Sequence, residues 1–214
     1  MVHTKTSNFL KSLFALVTNS SFMLVLFACG IDLGIVTTIG TLLNQILANY
    51  YDNPSTDAGK IGLVMFFIGS MAPAVCGIIL DKFKAYRLTF VVLQLCTLLT
   101  TIAFTYTLNL GIICVYVISA LLGFFYTAIQ LVSFETAIEL TYPEPETISI
   151  GIMTATFQIG TLIFTYLYSW VLNTLGITWA NNTMSALNIF AFLLVLCIRF
   201  QFKREQSHVM GYSH

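Results

Sequence analysis

Long apolar runs alternate along the chain with short segments of charged residues, asparagine and proline. A membrane-spanning helix requires about 20 predominantly apolar residues, and six of the runs are about that long. The pattern therefore predicts an all-α membrane protein with six transmembrane helices, over residues 21–47, 61–80, 88–107, 111–133, 148–171 and 182–200. The domain organisation expected from it is a cytoplasmic segment over 1–20, the six-helix bundle over 21–200 and a cytoplasmic tail over 201–214.

Composition supports this class and excludes others. Hydrophobic residues make up 57% of the chain and charged residues only 8%, whereas a soluble domain has about a quarter charged residues. Nine Lys and Arg residues balance nine Asp and Glu residues, so the chain has no net basic field to attract nucleic acid. We therefore expect the lipid bilayer as its surroundings and no nucleic-acid partner.

Basic residues predict the orientation. If both termini face the cytoplasm, Lys60 is the one basic residue on the outer side, and the others are inside, as the positive-inside rule requires. A sequon at Asn181 would then face outward, but it lies so close to a helix start that we expect no glycan there. The apolar patch near Lys11 is too short to suggest a cleaved signal peptide. The plasma membrane is the expected location, with mitochondrial and endoplasmic reticulum membranes as open alternatives.

Catalytic groups are scarce. The three histidines, His3, His208 and His214, lie near the termini, so no histidine can act within the bilayer as a base or metal ligand. The five cysteines lie in apolar runs without metal-ligand spacing, and no glycine-rich phosphate loop is present. The sequence therefore predicts a protein that is not an enzyme, with no catalytic residue, metal or cofactor.

Two predicted helices have polar residues spaced three or four positions apart, which places them on one helix face. These residues are Ser119, Gly123, Tyr126, Gln130 and Ser133 in the fourth helix, and Thr154, Gln158, Thr161 and Thr165 in the fifth. Such stripes suit the walls of a substrate path, from which we select Tyr126, Gln130 and Gln158 as candidate substrate-binding residues. Interhelical hydrogen bonding, at about 0.6 kcal/mol per contact, explains them as well.

Asp32 is the one acidic residue near the middle of a predicted span. A carboxylate at that depth costs roughly 2.5–3.5 kcal/mol on an insertion scale, so it needs a partner, a proton or a wet cavity. We therefore include Asp32 among the candidate substrate-binding residues, as a cation or proton site. The alternative is a protonated acid bonded to a neighbour. Gly30 and Gly34 on either side of it indicate close helix packing.

Charged residues at the cytoplasmic ends of the spans suggest a gate. Asp81 and Arg87 bound the basic loop after the second helix, while Glu135 and Glu139 lie one turn apart near the inner end of the fourth. Since these groups can meet on the same side of the membrane, we predict that all four act in gating. Simple anchoring at the membrane interface is the alternative.

Three segments, in order, carry a family resemblance. The first contains Thr41-Leu42-Leu43-Asn44-Gln45, Tyr50-Tyr51 and Ala58-Gly59-Lys60-Ile61-Gly62-Leu63. The second is Cys76-Gly77-Ile78-Ile79-Leu80-Asp81-Lys82 with Lys84 and Tyr86, similar to the G-x-x-x-D-[RK] loop of major facilitator transporters. The third contains Gly123-Phe124-Phe125, Phe134-Glu135, Glu139-Leu140-Thr141-Tyr142-Pro143-Glu144 and Gln158-Ile159. Together they resemble the carboxy-terminal half of the feline leukaemia virus subgroup C receptor family, which is linked to choline, ethanolamine and haem transport.

The resemblance implies one half of a major facilitator fold, in which the substrate lies between two six-helix halves. It also implies that Gln158 faces the substrate. Choline-carrying relatives have a tyrosine before the glycine that matches Gly30, where this chain has Cys29. A cation–π contact worth about 0.5–2 kcal/mol is thereby lost, and Asp32 could compensate as a counter-charge.

Two functional hypotheses follow. The first is transport of a small organic cation or metabolite, of the choline or ethanolamine type, by alternating access together with a second copy of the chain or a separate amino-terminal half. The second is a truncated, non-transporting six-helix protein that binds or regulates a full-length relative.

Overall fold

The computed structural model describes residues 11–83 and 86–198, except for the side chains of Asp81, Phe83 and Tyr86. Six long helices occupy most of this part of the chain, after a short helical segment over 11–18. They are α1 (Ser20–Leu47), α2 (Pro54–Phe83), α3 (Tyr86–Thr107), α4 (Ile112–Thr141), α5 (Glu146–Leu175) and α6 (Ile177–Leu196). Each is long and apolar enough to cross a membrane, which confirms the predicted all-α, six-span, multi-pass membrane protein.

Several helices extend beyond their predicted bounds. α2 begins at Pro54 rather than 61, α4 continues to Thr141 rather than 133, and α6 begins at Ile177 rather than 182. The apolar run reports only the part of a helix that lies in hydrocarbon, whereas helical turns with polar residues continue into the interface. In the loop expected at 81–87, the described residues 81–83 and 86–87 are helical. Between α5 and α6 the chain turns at one residue, Gly176, whose φ of 91° favours glycine.

Four helices, α1, α3, α4 and α6, pack together in the interior, and α2 and α5 flank them. α2 packs mainly on α4, and α5 mainly on α1. The contacts of α1–α3 thus repeat in α4–α6, as expected for the three-plus-three repeats within a major facilitator half. The two flanking helices are the least buried of the six spans.

Glycines allow both flanking contacts to be close. A Cβ at Gly160 of α5 would lie 2.9 Å from the carbonyl oxygen of Gly30, and one at Gly34 would lie 3.2 Å from the carbonyl carbon of Gly160. On the other side, a Cβ at Gly123 of α4 would lie 2.5 Å from the carbonyl oxygen of Met65 in α2. The glycine pair around Asp32 therefore serves close helix packing, as its spacing predicted.

The buried apolar side chains form two clusters, one above the other in the membrane. The inner cluster, toward the predicted cytoplasmic side, includes Phe22, Phe90 and Leu140. The outer cluster includes Phe104 and Tyr168. Where the two clusters meet, the buried side chains of α1, α3 and α6 include Asp32, Gln94, Thr97, Thr101 and Asn188, which form a polar layer across the middle of the bundle.

Candidate functional site

Asp32 lies in this polar layer and is 1% exposed. Its Oδ1 accepts a hydrogen bond of 2.9 Å from Nε2 of Gln94 on α3, which is itself fully buried. The partner that Asp32 was predicted to need is therefore a neutral amide and not a basic residue.

Tyr126 forms the second centre of the layer. Its hydroxyl accepts a hydrogen bond of 2.7 Å from Nδ2 of Asn188 on α6, and lies 2.9 Å from Oγ1 of Thr101 on α3. Thr101 donates its own hydroxyl hydrogen to the carbonyl of Thr97, so the Tyr126 hydroxyl must be the donor to Thr101. One phenol thus joins α4 to both α3 and α6.

Several buried oxygens in and around the layer have no hydrogen-bond partner among the described residues. Three of them are the acceptors Oδ2 of Asp32, Oε1 of Gln94 and Oδ1 of Asn188, and the hydroxyls of Ser119 and Thr136 share this condition. Because buried acceptors are normally paired, the three acceptor oxygens leave room for a further hydrogen-bond donor. Within the described part of the chain, no group of three or more His, Cys, Asp or Glu residues could hold a metal ion.

The four predicted substrate-binding residues divide between two places. Asp32 and Tyr126 lie inside the bundle, close enough to interact electrostatically. Gln158 is exposed on α5, and Gln130 is half-buried on α4. The stripe of α4 therefore faces the interior at Ser119, Tyr126 and Ser133, whereas the stripe of α5 reaches the exposed surface of the bundle at Gln158.

The structure describes the side chains of three of the four predicted gating residues. Arg87 and Glu135 are exposed near the inner ends of α3 and α4, and Glu139 is half-buried with contacts of its own. The side chain of Asp81 lies outside the described residues. Their role in gating stays a prediction.

Two residues of the polar layer were missed by the sequence reasoning, namely Gln94 and Asn188. Both are amides within predicted spans, and an amide in hydrocarbon needs a partner just as Asp32 does. Each lies on a polar stripe of its own helix, Gln94 with Thr97, Thr101 and Thr105 on α3, and Asn188 with Asn181 and Ser185 on α6. The spacing criterion that was applied to the fourth and fifth spans would have found both, had it been applied to the third and sixth.

The asparagine of the predicted sequon is also buried and hydrogen-bonded within the bundle. Asn181 is 3% exposed within α6, and its Oδ1 accepts a hydrogen bond of 2.6 Å from the hydroxyl of Tyr168. A glycan cannot be attached to this amide while the bundle is folded.

Comparisons with known proteins identify similar chains. An uncharacterized MFS-type transporter of Caenorhabditis elegans is 34% identical over 206 residues, which is 96% of this chain and 35% of that protein. FLVCR1 of Mus musculus, named a choline/ethanolamine transporter, is 40% identical over 149 residues, 69% of this chain and 27% of that protein. The choline/ethanolamine transporter flvcr2b of Danio rerio is 30% identical over 208 residues, 97% of this chain and 43% of that protein. The chain spans less than half the length of each of these relatives. A scan against protein-family models gives no match.

Proposed function

The chain belongs to the feline leukaemia virus subgroup C receptor family of major facilitator proteins, and from this premise we propose that it supplies one six-helix half of a transport path. The proposed substrates are small organic cations or amino alcohols of the choline and ethanolamine type, after the names of two of the relatives. Alternating access would then require a second six-helix unit, either another copy of this chain or a complementary amino-terminal half.

The observation that carries the proposal is the exposed amide of Gln158. No hydrogen bond to its side chain occurs among the described residues, and it lies near the middle of α5. An amide facing hydrocarbon without a partner costs several kcal/mol, so this face requires either a protein partner or a path containing water and substrate.

The neighbours of Gln158 suit such a face. Gly151, Ala155 and Leu162 are also exposed and lie at steps of three or four residues on the same side of α5. Two of these three side chains are very small, which leaves room for a substrate or for a closely packed helix beside the amide. The face therefore combines a polar group with open space.

An inner gate completes the proposal. Arg87 and Glu135 have exposed side chains at the inner ends of two helices that pack together. We propose that they act with Asp81 and Glu139 to favour the state that is closed to the cytoplasm. Exposed ion pairs are individually worth about 0–1 kcal/mol, enough to shift an equilibrium between two states but not to hold the bundle together.

Uptake of labelled choline and ethanolamine into liposomes tests the proposal. The chain is reconstituted alone and after co-expression with an amino-terminal half from a relative, and Gln158→Leu is compared with Gln45→Leu. Gln45 is exposed near the end of α1, where water can satisfy its amide. We expect at least a tenfold loss of uptake for Gln158→Leu and little change for Gln45→Leu.

Two outcomes would contradict the proposal. Equal uptake by both variants would remove Gln158 from the path. A stable monomer by light scattering that transports without a partner would refute the need for a second unit. A chain that binds a full-length relative but takes up no substrate would instead support the non-transporting alternative.

A further inference from the structure

Two unpartnered oxygens in the polar layer belong to side chains that are already joined. Asp32 and Gln94 share the hydrogen bond from Nε2 to Oδ1, at 2.9 Å. The remaining oxygen of each group, Oδ2 of Asp32 and Oε1 of Gln94, is buried without a partner among the described residues. If Asp32 is ionised, both of these oxygens are acceptors and neither can bond the other.

An ionised Asp32 is also poorly compensated. It would receive one hydrogen bond from a neutral amide, although a buried charge needs an opposite charge or several donors. The described basic residues, Lys11, Lys60, Lys82 and Arg87, lie near the ends of helices rather than at this depth. A buried carboxyl group in such surroundings becomes neutral by taking up a proton.

One proton would give both unpartnered oxygens a hydrogen-bond partner and would remove the uncompensated charge. A proton on Oδ2 turns that oxygen into a donor, and Oε1 of Gln94 is an acceptor on the group that already bonds Oδ1. The acid and the primary amide can then form a ring with two hydrogen bonds, N–H to Oδ1 and O–H to Oε1. Only the second of these bonds has to form, because the first is already present.

We propose that Asp32 and Gln94 form a proton-binding site in the middle of the bundle, in which a neutral carboxylic acid and an amide are joined by two hydrogen bonds. The proton leaves when a conformational change admits water to the polar layer, so its release accompanies the transport cycle. The coupling of proton release to transport rests on the proposed transport function, whereas the protonated pair itself does not.

The groups around Asp32 favour the neutral state. Among the described residues, the titratable side chains that interact with it electrostatically are Cys29 on its own helix and Tyr126 on α4. Neither brings a positive charge. From α3 and α6 the polar layer has the neutral amides of Gln94 and Asn188, and α5 packs against α1 here through Gly160. Proton loss would therefore leave a negative charge that no described neighbour offsets, so the deprotonated site would be more stable in contact with water.

Infrared spectroscopy of the purified full chain in lipid tests the pair without requiring transport. A protonated carboxyl group absorbs in a carbonyl region separate from that of a carboxylate, and its band shifts when the proton is exchanged for deuterium. We expect such a band near neutral pH in the unmodified protein, its loss in Asp32→Asn, and its retention in Asp52→Asn. Asp52 is an exposed aspartate in the loop before α2, so it controls for the substitution itself.

A second variant tests the role of Gln94. Gln94→Leu removes the acceptor for the carboxyl hydrogen, so we expect the band to move to higher frequency. A band that is absent from the unmodified protein, unaffected by Asp32→Asn or unmoved by Gln94→Leu would overturn the pair. A carboxylate band from Asp32 that responds to added sodium would also overturn the pair, because the site would then bind a metal cation rather than a proton.

The coupling to transport is measured separately. In the assembly that takes up substrate, uptake by the unmodified protein should change at least several-fold with pH, and uptake by Asp32→Asn should not. A band that behaves as expected in a chain without uptake would leave the proton site standing and refute the transport function. An equal pH dependence in both proteins would refute the coupling.

Discussion

Replacing Gly123 by alanine should force α2 and α4 apart. The new Cβ would lie 2.5 Å from the carbonyl oxygen of Met65, 2.9 Å from its Cα and 3.0 Å from its carbonyl carbon. All three are backbone atoms, so no side-chain rotation can relieve the overlap. The helices must separate, and the contacts around the crossing are weakened along with them.

The size of the effect can be worked out against a control on α2. A Cβ at Gly77 would meet nothing within 4 Å, so Gly77→Ala adds a methyl group in open space. Both substitutions reduce the freedom of the unfolded chain, which stabilises by about 0.4–1 kcal/mol. Only Gly123→Ala adds overpacking, which typically costs 1–3 kcal/mol. We therefore expect the two variants to differ in free energy of unfolding by about 1–3 kcal/mol, with Gly77→Ala the more stable.

Denaturation in a detergent mixture, followed by circular dichroism, measures this difference. Each variant is compared with the unmodified chain at the same protein and lipid concentration, because association with a partner would shift apparent stability. If Gly123→Ala is as stable as Gly77→Ala, the close crossing of α2 and α4 does not exist as described, and the inference from backbone distance to packing fails.

Three further outcomes are expected. Tyr126→Phe removes the hydroxyl that joins three helices and leaves Asn188 without its acceptor, so the free energy of unfolding should fall by about 0.6–2 kcal/mol in the same denaturation assay; no loss would mean that the hydrogen bonds are replaced elsewhere. Glycosidase treatment should not alter the electrophoretic mobility of the expressed protein, since Asn181 is buried; a shift that Asn181→Gln abolishes would contradict this. In a chain without native cysteines, an impermeant thiol reagent applied outside cells should label Ser55→Cys and not Thr147→Cys, and the reverse result would invert the predicted topology.

The number and order of the spans were predictable from the sequence. Hydrocarbon thickness sets the length of an apolar run, and this requirement acts locally along the chain, so the six runs could be counted without knowing how the helices pack. The same holds for Asp32, because a carboxylate in hydrocarbon stands out against any apolar background. Helix ends such as Pro54 were less predictable, since the turns beyond hydrocarbon have no apolar signature.

The tertiary structure decided what each polar residue faces. A helical repeat of 3.6 residues places Tyr126 and Gln130 on a shared stripe, but the stripe carries no information about the neighbouring helix. The bonds of Asp32 with Gln94 and of Tyr126 with Asn188 each join residues 62 positions apart in sequence. Such pairs form only when helices that are distant in sequence pack together. The sequence therefore identified the acid in the middle of the membrane, but its partner could be identified only from the packed bundle.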